Sequence, residues 1–313
     1  MTDKIYDVII IGGGPAGLSS AIYACRANLS TLIIEKAAFG GNIFQTSEIA
    51  NYPGGISGET GAEFSARLES HADSFGVEKI QSEVTTMDLF GDVKEIVCGG
   101  NSYKGRAVIV ATGCVPTQLG VKGENEYIGL GVSYCAICDG PFFSNLDVFV
   151  VGGGDSAVEE AMFLAKFARK VTIIHRRSEF RAAKSIVEHA AKVPNIEFKT
   201  GTVVRELSGD GLLQKITLEE VETGKETTIE AAAGENFGFF VFVGMKPQTE
   251  LFTGIIEMDE RQYIITDENM HTNISGVFAA GDVRRKRLRQ VVTATADGAI
   301  AAIEAEVYIQ DNL

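Results

Sequence analysis

Basic residues are in short supply in this chain of 313 residues: 28 Lys and Arg stand against 42 Asp and Glu, for a formal net charge of −14. A surface of that sign repels phosphate backbones, which argues against a nucleic-acid function. It also repels anionic headgroups, which argues against docking on acidic membranes. Long apolar runs are missing as well: none approaches the roughly 18 residues of a spanning helix. The opening MTDKIYDVIIIGGG lacks a basic leader and runs from a short apolar stretch into glycines, so it reads as a strand rather than a signal peptide. The expected location is the cytoplasm. Cysteine is sparse and odd in number, five in all, with Cys25, Cys98 and Cys114 scattered, which is no secreted disulfide framework. The four histidines, at 71, 175, 189 and 271, are not at ligand spacing. One CxxC supplies two of the four ligands that zinc needs, so no metal site is expected.

What is present is the balance of a soluble globular protein, 45% apolar and 22% charged, in a length that predicts about two domains. The chain also repeats itself. VIIIGGGPAGLSSAIYACRANLSTLIIEK (8–36) and VFVVGGGDSAVEEAMFLAKFARKVTIIHR (148–176) each run from a β-branched stretch through three glycines into an alanine-rich helical pattern and a second apolar strand. The distance from Gly12 to Glu35 is 23 positions, and so is that from Gly152 to His175. Both read as strand–turn–helix–strand units with a right-handed parallel crossover. A second echo follows each: VIVATGCVPT (108–117) resembles FVFVGMKPQT (240–249), each a strand running into a Gly–Pro turn. The fold class expected is α/β, two doubly wound (Rossmann-like) dinucleotide-binding domains with the second inserted into the first. The first takes 1–116 and 247–313, the second 117–246, with linkers at the proline turns.

Gly12, Gly14 and Gly17 spell GxGxxG after a strand. The first permits a sharp turn, the second lets a pyrophosphate approach the backbone, and the third lets the helix pack closely. The helix N-terminus offers free N–H groups and a partial positive charge to a diphosphate. Glu35 ends the next strand, where a carboxylate accepts a hydrogen bond from a ribose 2′-hydroxyl. In the second unit the motif is GGGDSA, with Ala157 in the third place, and the residues 23 positions on are His175, Arg176 and Arg177, with Arg181 expected one turn into a following helix. Guanidinium groups bind a 2′-phosphate that a carboxylate would repel. The first site should therefore hold a nucleotide without a 2′-phosphate, and the second NADPH.

YCAICDGPFF (134–143) holds the remaining two cysteines. Zinc lacks its other ligands here, and a reducing compartment disfavours an inert structural disulfide. A redox dithiol beside nucleotide-binding units is the reading that is left.

Taken together, CAICDG, GGGPAG, GGGDSAVEEA, HRRSEFRA, ATG and GDVRRKRLRQVVTATADGA resemble low-molecular-weight thioredoxin reductases, over residues 5 to 308. CxxCD just before the second dinucleotide motif distinguishes that family from relatives whose cysteines lie in the FAD domain. The resemblance implies FAD in the first domain, NADPH in the second, a homodimer, and thioredoxin as the disulfide substrate. It implies that Gly12, Gly14, Ala16, Gly17 and Glu35 hold the adenosine half of FAD. Gly41, Gln45 and Asn51 would lie in a flavin-contacting loop, and Asp282 would meet the ribityl chain. Arg289, Gln290 and Val291 would sit by the isoalloxazine at a helix start whose dipole favours an anionic reduced flavin. Gly154, Asp155, Ser156, His175, Arg176, Arg177 and Arg181 would line the NADPH site. Cys138 would face the flavin, Cys135 would attack the substrate, and Asp139 would serve as acid and base for the thiols; Asp139 also fits a plain Asp-Gly turn. Two departures from the family pattern are GGNI (40–43) for GGQL and Ser178 where an acid is usual, though Ser178 can still cap the expected helix.

Other readings remain open. The same fold could take electrons from ferredoxin or serve a peroxiredoxin partner, or the chain could be a flavin-based redox sensor without turnover. Arg284-Arg285-Lys286-Arg287 reads as a patch that steers an acidic partner or as a solvated loop. Cys25 and Cys114 read as small packing residues, and Phe142 and Phe143 as cover for the cysteines or as core.

Overall fold

A computed structural model of the chain describes residues 4–46 and 48–312. It forms two compact units, Met1–Val115 with Lys246–Leu313, and Pro116–Met245.

In the first unit the sheet order is Glu78–Gln81, Thr31–Glu35, Ile5–Ile11, Asn101–Val110, Lys94–Cys98 and Val84–Asp88, with Val277–Ala279 paired to the far half of Asn101–Val110. The opening strand IYDVIII pairs in parallel with Thr31–Glu35 and Asn101–Val110. Val8, Ile9 and Ile10 are all fully buried, so a continuous apolar run, not an alternating one, marks a strand covered on both faces. On one face lie the helices Pro15–Arg26 and Val291–Asp311, sharing a core with Val8, Ile10 and Ile33. Alanines and glycines let those helices approach: a Cβ at Gly298 would stand 2.1 Å from the Ala16 carbonyl oxygen. On the other face Ile9, Ile11 and Leu32 pack with Val84, Ile96 and Phe252.

The second unit repeats that plan. Five parallel strands run in the order Ile196–Lys199, Lys170–Ile174, Asp147–Val151, Gly238–Val241 and Val132–Ser133. The helix Asp155–Leu164 joins one core with Val148, Val150 and Ile173. An antiparallel three-stranded sheet, Thr202–Ser208, Lys215–Glu220 and Glu226–Glu230, shares the other core with Phe149, Phe239 and Val241. The apolar run 237–244 contributes the strand Gly238–Val241, every residue buried.

One expected helix starts later than its sequence suggests. Residues 175–183 form a loop, and the helix begins only at Lys184, with Ala183 before it. Ser178 therefore caps nothing and Arg181 is not helical. The reason is tertiary: the Arg181 and Ala182 N–H groups both donate to the Gly153 carbonyl, at 2.7 and 3.0 Å, which holds them in the turn.

Candidate active site

In the first unit the glycine turn is closed on two sides and open on the third. Gly12 sits at φ +111°, and a Cβ there would meet the Ala111 carbonyl oxygen at 2.3 Å; one on Gly17 would fall 1.9 Å from the Gly12 oxygen. Gly14 has nothing within 4 Å of a Cβ position and precedes the helix with no side-chain cap. The first N–H groups of that helix are left for a ligand, in a cradle that a side chain would fill. Glu35 is fastened at this mouth: its Oε2 accepts from Gly13 N–H at 2.6 Å and its Oε1 from Ala37 N–H at 2.8 Å. Ala16 is buried, and a Cβ on Gly281 would stand 2.8 Å from its methyl group.

Other expected residues gather in the same unit. Gly41 lies against Gly14, its Cβ position 3.2 Å from the Gly14 Cα. The backbone of Gln45 ends the short helix Gly41–Gln45; its side chain lies outside what the structure describes. Asn42 donates to the Cys114 carbonyl. Asn51 Nδ2 donates to Gln290 Oε1 at 3.1 Å, and Gln290 precedes Val291, the first residue of the C-terminal helix. Asp282 has a buried Oδ1 with no partner among the described residues. Burial pushes its carboxyl up to about 6, against the pull of Lys286 and Arg289. Arg289 lies over the Tyr263 ring at 4.1 Å, its Nε buried and without a partner among the described residues. An open glycine turn, a fastened carboxylate, an orphaned acceptor and an orphaned donor fit FAD.

The basic run is a loop that is solvated only in part. Arg284 and Lys286 turn inward, and Arg285 and Arg287 remain exposed. Asp297, 5% exposed, receives Arg284 Nε at 2.8 Å, Arg284 Nη2 at 3.0 Å, Lys286 Nζ at 2.7 Å and Gly281 N–H at 3.0 Å. Nothing in the spacing pointed to Asp297, because its partners lie 11 to 16 residues upstream across a turn.

The second unit builds a similar cradle. A Cβ on Gly153 would stand 2.1 Å from the His175 ring, while Gly154 faces open space and leads into Asp155–Leu164 without a side-chain cap. Asp155 accepts from Ala183 N–H at 2.8 Å, and Ser156 is exposed on the first turn. His175 is buried and stacked on Phe180 with centroids 5.0 Å apart. Burial, opposed by a backbone hydrogen bond at Glu179 and reinforced by Arg181, Arg176 and Arg177, pushes its pKa down, so the ring is neutral at physiological pH. Its Nε2 has no partner among the described residues. Arg176, Arg177 and Arg181 are exposed around it. Three exposed guanidiniums and an open turn fit a phosphorylated dinucleotide such as NADPH.

Cys135 and Cys138 form a disulfide, Cα to Cα 5.3 Å, around the start of the helical turn Ala136–Asp139. Three-residue spacing puts both sulfurs on one face of that turn. Both cysteines are half-buried, and Cys138 N–H donates to Cys135 Sγ at 3.1 Å. Asp139 Oδ2 accepts from Ser133 Oγ at 2.6 Å, while Oδ1 is buried with no partner among the described residues. Burial pushes the Asp139 carboxyl up, opposed by the Ser133 bond. A carboxyl held this way can take and return a proton near the sulfurs. Phe143 is core, edge-on to Phe240 at 5.4 Å, whereas Phe142 is exposed. Cys25, Cys98 and Cys114 are free thiols that burial pushes upward, Cys114 to about 12, which favours the protonated form.

Residues 6–298 match the family described as pyridine nucleotide-disulphide oxidoreductase. The chain is 51% identical over 311 residues to a thioredoxin reductase of Peptoclostridium acidaminophilum, covering 99% of each chain. It is 44% identical over 310 residues to a thioredoxin reductase of Listeria innocua, covering 99% of this chain and 95% of that one. Among solved structures it superposes on thioredoxin reductase from Streptococcus pyogenes with TM-score 0.94 and 43% identity, covering 99% of this chain and 100% of the other. Thioredoxin reductase from Giardia duodenalis gives TM-score 0.91 and 35% identity, with 98% and 100% covered.

Proposed function

The chain belongs to the thioredoxin reductases of the pyridine nucleotide-disulphide oxidoreductase family, and from that premise we propose that it reduces oxidised thioredoxin at the expense of NADPH, through FAD and its Cys135–Cys138 disulfide. Bound NADPH and FAD supply a two-electron reduction; every later step is carried by the chain's own side chains. Unit Met1–Val115 with Lys246–Leu313 is the FAD-binding domain, and Pro116–Met245 binds NADPH and carries the cysteines. In the first, the N–H groups beyond Gly14 take a pyrophosphate, Glu35 a ribose hydroxyl, and Asp282 and Arg289 the flavin half. In the second, Gly154, Asp155 and Ser156 cradle the phosphates, and Arg176, Arg177 and Arg181 around His175 take the 2′-phosphate.

The observation that carries the reading is a disulfide backed by a buried, partly unsatisfied carboxyl. Two electrons and one proton open Cys135–Cys138 to a Cys135 thiolate and a Cys138 thiol, with Asp139 protonated. Cys135, as thiolate, attacks one sulfur of the substrate disulfide. A Cys135–substrate S–S bond forms, the substrate's own S–S bond breaks, and the leaving sulfur takes a proton from Asp139. Cys138 then gives its proton to the Asp139 carboxylate and attacks Cys135 Sγ. The intramolecular disulfide re-forms, the second substrate sulfur leaves as thiolate, and Asp139 is protonated again.

The Arg176–Arg177–Arg181 cluster favours NADPH over ferredoxin as donor. Anaerobic titration should bleach the flavin with NADPH at far lower concentration than with NADH, and Arg176→Ala with Arg177→Ala should remove that preference. Oxidised thioredoxin should restore the colour with turnover, which a redox sensor would not sustain. Protein that cannot be loaded with flavin, or a Cys138→Ser variant that reduces thioredoxin at the parent rate, refutes the proposal.

A second copy of the chain is the proposed cover for Ile300, Ile303 and Val307, which stand exposed at 38%, 43% and 45% along one stripe of the C-terminal helix. Among the described residues no helix is long and apolar enough to cross a membrane. Three cysteines kept as thiols support a reducing compartment, the cytoplasm.

A further inference from the structure

Ser133 is 4% exposed at the end of the short strand Val132–Ser133, two residues before the first redox cysteine. Its hydroxyl makes two bonds that fit one another. Oγ accepts from Cys135 N–H at 3.1 Å and donates to Asp139 Oδ2 at 2.6 Å. A hydroxyl has one proton to give, and with a backbone N–H entering Oγ that proton goes to the nearer of two acceptors. The other acceptor, the Cys135 carbonyl, is at 3.4 Å. Asp139 Oδ2 is thereby held, and Oδ1, buried and without a partner among the described residues, is the oxygen left to carry a proton.

We infer that Ser133 is a positioning residue for thiol–disulfide exchange: a relay from Cys135 N–H through Ser133 Oγ to Asp139 Oδ2 orients the carboxyl and assigns the exchangeable proton to Oδ1. This rests on the acid–base role of Asp139 proposed above. The relay adds nothing to the balance of that reaction; it fixes which oxygen gives the proton to the leaving sulfur and takes one from Cys138.

The surroundings leave the serine as the tunable contact. Ionisable groups on the elements packed around Asp139 are Asp155, Glu159 and Glu160 of the helix Asp155–Leu164, with Tyr134, Cys135 and Cys138 on its own stretch. Residues 140–146 and the strand Gly238–Val241, which pairs with Val132–Ser133, carry none. Burial is the larger influence on Asp139 and favours the neutral acid; the serine bond favours the carboxylate. Removing the hydroxyl extends the protonated form to higher pH.

The test is the pH profile of kcat/KM for oxidised thioredoxin in the holoenzyme, for Ser133→Ala, Ser133→Thr and Asp139→Asn. Ser133→Ala should lower the plateau about tenfold and carry the alkaline limb to higher pH, with flavin absorbance unchanged. Ser133→Thr, which keeps the hydroxyl, should restore both. A serine that only supports the fold would lower the plateau and leave the limb where it was. That result overturns the inference while the Asp139 role stands, provided Asp139→Asn abolishes the limb. An Asp139→Asn profile identical to the parent's removes the acid–base role and the inference with it. If Ser133→Ala does not fold, Ser133→Cys replaces it; its weak S–H donor should shift the limb the same way, and an unmoved limb again overturns the relay.

Discussion

Asp297 offers the sharpest test of how the turn at Gly281–Asp282 is held. Its side chain is 7% exposed and its carboxylate receives four hydrogen bonds, two from Arg284, one from Lys286 and one from Gly281 N–H. The Arg284 and Lys286 side chains are themselves only 15% and 7% exposed. Asp297→Ala would strand two largely buried cations, with Thr266 Oγ1 at 3.2 Å as the other side-chain hydrogen bond of Arg284 among the described residues. Breaking a buried pair in this way costs about 3–5 kcal/mol, a large share of the ~5–15 kcal/mol that stabilises a domain. For a unit of this size, the melting temperature should fall by roughly 6–20 °C. Asp297→Asn keeps the shape and one acceptor, and should fall in between. Because Gly281 N–H is one of the four donors and Asp282 is the next residue, both variants should also release FAD more readily. Burial pushes the Asp297 carboxyl up, but Arg284 and Lys286 outweigh it and hold it below the usual range. The folded value lies below the unfolded value of about 3.9, so the stabilisation is complete above that pH and disappears as pH falls through the folded value. Urea unfolding followed by far-UV circular dichroism and flavin fluorescence, from acid to neutral pH, measures all of this. A loss under about 1 kcal/mol for Asp297→Ala at pH 7, or a gap that persists at the acid end, would refute the account.

The glycines of the first turn should separate by mechanism. Gly14→Ala meets no protein atom and should leave the flavin-free protein as stable as the parent while weakening FAD. Gly17→Ala forces a Cβ to 1.9 Å from a backbone oxygen and should lose stability as well, by more than about 1 kcal/mol; equal stability of the two flavin-free variants would contradict this. The proposed dimer is tested by sedimentation: Ile303→Glu should shift the protein toward monomer, and a parent chain that sediments as a monomer at micromolar concentration would remove the proposal.

Much of the architecture was legible in the residues. Both strand–glycine–helix units were, because a parallel strand covered on both faces must be continuously apolar, and a turn with no room for a Cβ must be glycine. The antiparallel sheet of the second unit and the polar edge strands were not. Glu226–Glu230 and the parallel edge strand Glu78–Gln81 are mostly exposed and polar, so they carry no hydrophobic period to read. Ser178 looked like a helix cap because capping preferences are local. The Gly153 carbonyl, which holds Arg181 and Ala182 out of the helix, is brought there by the fold. The division of the basic run was hidden for a related cause: which of four adjacent cations turns inward depends on a carboxylate on another element.

From the residues alone came the repeat, the two glycine turns, the acid after one and the arginines after the other, and the paired cysteines. All are constraints that act between near neighbours in the chain, where bond geometry and spacing suffice. Tertiary structure decided which polar atoms are stripped of water and which find partners. It left Asp282 Oδ1 and Asp139 Oδ1 wanting, satisfied Asp297 four times over, and set Ser133 between a backbone N–H and a carboxyl. Burial is a property of everything that packs around an atom, and no stretch of sequence contains that.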